Sequence, residues 1–156
     1  MFRKKFLHVF IALIASLLAV ASPMASQTAN AEDASVNAGA GGKRIVVSLS
    51  QQRVYAYSGN TLVMTIRANI RGARAGNFRI QNKMPMGYSS HLGWRLPNWM
   101  GIYYAGHGVQ NGFHGASIHR SGSRDMTSLG CIVMRPGDAA RLYGWTPVGT
   151  LVTIRR

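Results

Sequence analysis

Residues 44–70 read RIVVSLSQQRVYAYSGNTLVMTIRANI, and the fold class turns on them. Residues 44–50 and 53–57 are runs rich in β-branched and aromatic side chains. Residues 61–70 alternate apolar and polar positions. Such runs, bounded by turn formers, predict strands. Ser50-Gln51-Gln52 and Ser58-Gly59-Asn60 supply the two turns. The product is a β-meander with one face buried, because a period of two sends alternate side chains to opposite faces.

Working outward, residues 71–76 (RGARAG) form a glycine-containing loop and 77–81 (NFRIQ) a short strand. Residues 82–98 carry Pro85, Gly87, Gly93 and Pro97 and read as a long loop holding Tyr88, His91 and Trp94. Residues 99–105 (WMGIYYA) predict a strand and 107–112 a turn. Residues 113–115 end another strand, 116–127 form a polar loop, and 130–134 enter a further strand. Pro136-Gly137-Asp138 opens the best helix candidate, residues 138–143, with Gly144 as its stop. Residues 150–154 give a last strand. Many short strands and one short C-terminal helix predict a mainly β domain.

The chemistry concentrates in residues 113–134, FHGASIHRSGSRDMTSLGCIVM. They hold the only cysteine, Cys131, and two of the five histidines, His114 and His119. A single cysteine with histidines elsewhere is the pattern of a cysteine nucleophile. The thiolate is the reactive form, and an imidazole can remove the thiol proton. Gly130 permits close backbone approach, and Ser128 brings a hydroxyl near the thiol. A turn before Cys131 that aims two backbone N–H groups at one point would make an oxyanion hole. The bland reading is a small buried thiol.

Upstream, Arg3, Lys4 and Lys5 precede an apolar run over 6–21, and Ala29-Asn30-Ala31 is an A-x-A cleavage site. Residues 1–31 are therefore expected to be a signal peptide and 32–42 a flexible leader, which leaves one domain over 43–156. Export to the periplasm, cell wall or exterior follows, with membrane contact only transiently through the signal. A lone cysteine forms no internal disulfide, so the fold must rest on its core.

The formal charge is +14, from 18 Lys and Arg against 4 Asp and Glu. Loss of the three cations Arg3, Lys4 and Lys5 would leave +11. Within 43–156 the only carboxylates are Asp125 and Asp138, which excludes paired-carboxylate and two-metal chemistry. So basic a chain implies an anionic partner, with anionic cell-wall polymers foremost outside the membrane. The arginines are scattered and match no nucleic-acid motif, so no nucleic acid is expected. His107, His114, His119 and Cys131 fit no standard zinc spacing. No metal or cofactor is expected.

Taken together, residues 44–156 resemble the L,D-transpeptidase catalytic domain, the YkuD family. VVSLSQQRVYAY resembles its opening strand pair, and ARAGNFRI its T-P-x-G-x-F-x-I segment. FHG is similar to its I-H-G, SLGC to its S-H-G-C, and DAARLYGWTPVGTLVTI to its closing D-A-x-x-L-Y and G-T-x-V-x-I. The chain is especially similar to a branch with SLGCIV in place of SHGCIR. The resemblance implies an L,D-transpeptidase-like β-sandwich with one short C-terminal helix, working on peptidoglycan stem peptides; a monomer is expected. It implies Cys131 as nucleophile, forming a thioester with a tetrapeptide stem, and His114 as general base and acid. The Gly115 carbonyl would orient the imidazole, Ser128 would support the network, and Gly130 would lend its backbone to the oxyanion hole. Two departures stand out: the histidine of S-H-G-C is Leu129, and the arginine two residues after the cysteine is Val133. Arg120, Arg124 and Arg135 are candidate replacements for gripping a substrate carboxylate, and Trp94 and Tyr104 are candidate cleft walls. The alternative is a non-catalytic cationic module of the same fold that binds wall polymer.

Overall fold

The computed structural model describes residues 42–156. The expected signal peptide and nearly all of the leader lie outside them. The chain runs β1 (Lys43–Ser48), β2 (Arg53–Ser58), β3 (Thr61–Ile70), β4 (Gly76–Arg79), β5 (Asn82–Ser89), β6 (Trp94–Gly106), β7 (Val109–Gly115), β8 (Ser117–Ile118), β9 (Arg124–Asp125), β10 (Ile132–Met134), α1 (Pro136–Trp145) and β11 (Leu151–Arg155). It is mainly β with one short helix.

The meander forms as its alternation dictates. Ile45 and Val47 on β1, Val54 and Ala56 on β2, and Ile66, Ala68 and Ile70 on β3 are all buried, and the residues between them mostly face outward. β11 returns parallel to β1, Ile45 opposite Val152 and Val47 opposite Ile154, with β4 on its far side. The first leaf is thus β4-β11-β1-β2-β3.

The second leaf grows from the same β3. Arg53 to Ser58 pair with its first part, while Ala68, Asn69 and Ile70 pair with β10. Beyond β10 follow β7, then β6; β5 lies on the far edge of β6, while the short β8-β9 pair continues beside β7 on the near edge of β6. One hydrophobic core joins the leaves. It contains Ile45, Ile66 and Val152 from the first and Met100, Phe113 and Met134 from the second. Phe78 of β4 stacks on Tyr103 of β6 with ring centroids 4.7 Å apart.

Several local expectations need correcting. Residues 82–98 are not a loop: they form β5 and the start of β6, joined by a turn at 90–93. Pro85 is tolerated because β5 pairs only with β6 and is an edge strand. Gly87 is no breaker. A Cβ there would lie 2.9 Å from the Cβ of Trp99, so the glycine makes room for the indole. The turn expected at 107–112 is shorter. Gly106, His107 and Gly108 all have positive φ, and β7 begins at Val109. Residues 116–127 include the β8-β9 pair.

The helix is longer than expected, and Gly144 lies inside it. Its C-terminal carbonyls are capped from outside: Lys83 Nζ donates to Tyr143 O at 2.7 Å and Thr146 O at 2.6 Å, and Lys43 Nζ donates to Trp145 O at 2.8 Å. Cations at a helix C-terminus oppose the macrodipole favourably. Ala139 and Leu142 bury the inner face, and Ala139 packs against Gly115 at the end of β7. The helix thereby braces the strand that carries His114.

Candidate active site

His114 is the penultimate residue of β7, and Cys131 stands immediately before β10. The two strands run parallel, with Ile132 opposite Phe113 and Val133 opposite His114. That register sets Cys131 beside the Gly112 end of the same pair. Both side chains line one cavity of about 540 Å³.

The imidazole is held on two sides. Its Nδ1 is 2.6 Å from the Gly115 carbonyl oxygen. A carbonyl only accepts, so Nδ1 carries the proton and Nε2 keeps its lone pair. Trp99, itself buried, stacks on the ring at 6.1 Å between centroids. Burial pushes the His114 pKa below 6.5, with the Gly115 hydrogen bond pulling weakly the other way. Burial pushes the Cys131 thiol up, and the Gly112 amide, which points at the sulfur, opposes it. Desolvation disfavours both charged forms. The resting pair is neutral thiol and neutral imidazole.

Ser128 is buried, but its hydroxyl does not meet the thiol. It receives Arg71 N at 2.9 Å and donates to Cys131 O at 2.6 Å. Ser128 therefore clamps the turn before Cys131 to the end of β3. Gly130 within that turn has φ +117, and a Cβ there would lie 2.6 Å from Asn111 Nδ2. The position accepts no side chain.

Trp94 and Tyr104 both line the cavity. Trp94 is stacked at 4.5 Å on His119, whose Nε2 is 3.6 Å from Asp125 Oδ2. Thr127 holds Asp125 through two 2.8 Å hydrogen bonds, which keep its carboxyl below the ordinary value. The three arginines take other places. Arg120 lies over Gly93, Arg124 is exposed on β9, and Arg135 is exposed at the helix start, 3.7 Å from Asp138. None lines the cavity, and among the described residues no Lys, Arg, Asp or Glu does. Leu129 is 66% exposed on the cavity wall, whereas Val133 is fully buried in β10. Val133 stands opposite His114 in the register but is not itself part of the cavity lining. Among the described residues no three His, Cys, Asp or Glu side chains gather as a metal site.

Sequence reasoning missed three residues here. Trp99 was read only as part of a strand. Asn111 was read as turn, yet it is 6% exposed in β7 and its Oδ1 is 3.8 Å from Cys131 Sγ. Its signal was a polar residue three positions before His114, on a strand that already carried the site. Ser117 is buried on the cavity wall, and its hydroxyl has no partner.

A family model described as the L,D-transpeptidase catalytic domain, YkuD, matches residues 42–154. Similar solved structures include an L,D-transpeptidase from Mycobacterium smegmatis, with TM-score 0.60 at 17% identity, covering 73% of this chain and 58% of that one. A second, from Stackebrandtia nassauensis, has TM-score 0.58 at 20% identity over 73% of this chain and 55% of that one. A third is an L,D-transpeptidase in complex with imipenem, with TM-score 0.58 at 19% identity over 72% of this chain and 58% of that one. At these identities the likeness establishes the fold. This chain spans under two thirds of the length of each. No curated protein sequence matches it.

Proposed function

The chain belongs to the L,D-transpeptidase catalytic domain family, and from that premise we propose that it is a cysteine acyltransferase forming peptidoglycan cross-links. Cys131 is the nucleophile and His114 its base. The observation that carries the reading is the imidazole beside Gly115. With Nδ1–H bound to the carbonyl at 2.6 Å, the free Nε2 belongs to a side chain lining the same cavity as the only thiol.

The chemistry runs in two halves. Nε2 takes the thiol proton as Sγ bonds to the acyl carbon of a tetrapeptide stem. The Gly130 and Cys131 amides receive the developing oxyanion. The bond to the terminal residue breaks, and His114 returns the proton to the leaving amine, which gives a thioester. A second stem's amine then attacks, His114 takes its proton, the C–S bond breaks and the thiol is restored. Because the resting pair is neutral, proton transfer accompanies attack. Ser128 acts by fixing the Cys131 backbone through its 2.6 Å hydrogen bond.

Without Lys or Arg on the wall, the cavity engages the peptide through aromatic and amide groups, Trp94 and Tyr104 among them. The exposed Arg120, Arg124 and Arg135 suit the anionic wall polymer around the stem. Such a substrate requires export.

The test is mass spectrometry after exposure to a carbapenem, the drug class of imipenem. A covalent adduct on Cys131 is expected, absent in Cys131→Ala and slowed at least tenfold in His114→Ala. Its rate should rise with pH through a midpoint below 6.5, as His114 loses its proton. No adduct, together with iodoacetamide alkylation no faster than that of a free thiol, would leave the cationic wall-binding module in its place.

A further inference from the structure

Asn111 occupies the floor beneath the nucleophile. Its carboxamide touches two groups. Nδ2 is 3.2 Å from Tyr103 Oη, and Oδ1 is 3.8 Å from Cys131 Sγ. Gly130 presses on it from above.

Hydrogen-bond accounting makes that arrangement incomplete. Tyr103 is 4% exposed, and its phenol oxygen also receives Arg74 N at 2.9 Å. It thus accepts two N–H groups, while its own proton has no acceptor among the described residues. A buried donor without a partner is unfavourable. Turning the carboxamide by 180° preserves its shape and exchanges its two ends. Arg74 N–H then donates to Tyr103, Tyr103 O–H donates to Asn111 Oδ1, and Nδ2–H faces the sulfur. Every group in the chain is satisfied.

The two orientations act oppositely on the thiol. Oδ1 facing sulfur would hold the neutral S–H. Nδ2 facing sulfur favours S⁻, the form the attack requires. We propose that Asn111 is a further catalytic residue, its Nδ2–H aimed by Tyr103 at Cys131 Sγ to stabilise the thiolate as it forms. It joins the Gly112 amide, which approaches the same sulfur. Two donors to one sulfur lessen the penalty that burial imposes on the anion. This assignment rests on the reading of Cys131 as the nucleophile.

The pH midpoint of iodoacetamide alkylation of Cys131 tests it by sign. Removing a donor to the thiolate raises the midpoint, and removing an acceptor from the thiol lowers it. Asn111→Ala is expected to raise it by about one unit, so that alkylation near neutral pH slows about tenfold. Tyr103→Phe keeps the packed ring but removes the orienting proton, and should move the midpoint the same way by less. If Asn111→Ala does not fold, Tyr103→Phe carries the same sign test. A midpoint unchanged or lowered in the folded variant overturns the assignment, whatever happens to the melting temperature. Alkylation needs no peptide. A raised midpoint in a protein whose wild type is never acylated by tetrapeptide stems or carbapenems would sink the transpeptidase reading and keep the thiolate donor.

Discussion

The two leaves of the sheet are built to different rules. In the first, β1, β2, β3 and β11 bury Ile45, Val47, Val54, Ala56, Ile66, Val152 and Ile154. Buried polar groups near it are satisfied locally: Ser48 Oγ accepts Gln51 N at 3.3 Å, and Thr150 Oγ1 donates to Pro147 O at 2.7 Å. In the second, Asn111, His114, Ser117 and Ser128 are buried among the strands, and the Ser117 hydroxyl has no partner. Exposed apolar side chains also concentrate there, with Tyr88, Leu92, Tyr104, Val109 and Leu129 around the cavity. The first leaf spends its residues on stability. The second gives some of that up to keep reactive and polar groups out of water. The lesson is that one core can serve both, provided a continuous strand ties them.

Three changes probe the contrast. The largest effect should come from the first leaf. Ile45→Ala leaves a cavity in a fully buried site and should cost about 2–5 kcal/mol of unfolding free energy in urea titration. Below the unfolding transition Cys131 should still alkylate at the wild-type rate. A matching loss of thiol reactivity in the folded protein would mean that the leaves are not separable. Next comes Gly130→Ala, which forces a side chain into φ +117 and onto Asn111. It should cost about 1–3 kcal/mol but slow carbapenem acylation at least tenfold. Stability loss without rate loss would break the comparison. The smallest effect is with pH. The His114 pKa is lowered by folding, so the unfolded chain binds its proton more readily. Stability from this group is complete above about pH 6.5 and is lost as pH falls below it. Melting temperatures at pH 7.5 and 5 should differ, and His114→Gln should narrow the gap. An unchanged gap would remove His114 as its source.

What could be read from the sequence divides along the same line. The meander was legible because Ile45, Val47, Val54 and Ala56 alternate with outward residues, a local pattern. Cys131 and His114 stood out as candidates through rarity and through the family's motifs, and the fold sets both on one cavity. β5 was hidden because Pro85 and Gly87 are local breakers. Only the edge position of the strand and the Trp99 side chain across from it explain them. The helix ran past Gly144 because Lys43 and Lys83, remote in sequence, supply the cations that its own last turn lacks. Asn111 was missed because its partners, Tyr103, Gly130 and Cys131, are brought to it only by the sheet. The three arginines were named for their charge, which says nothing about which way a strand faces.

The sharing of β3 carries one more consequence, for the order of assembly. The strand after Cys131 has three residues, and it is paired only when Ile132 meets Ile70 and Phe113. The first of those meetings closes the whole stretch from Ile70 to Ile132 into a loop, and so long a closure is entropically slow. The meander needs no such closure. Cys131 is therefore seated after the meander has formed, and the sulfur acquires its neighbours only when Ile132 has met Ile70 and Phe113. The chemistry of this thiol doubles as a clock for the joining of the two leaves.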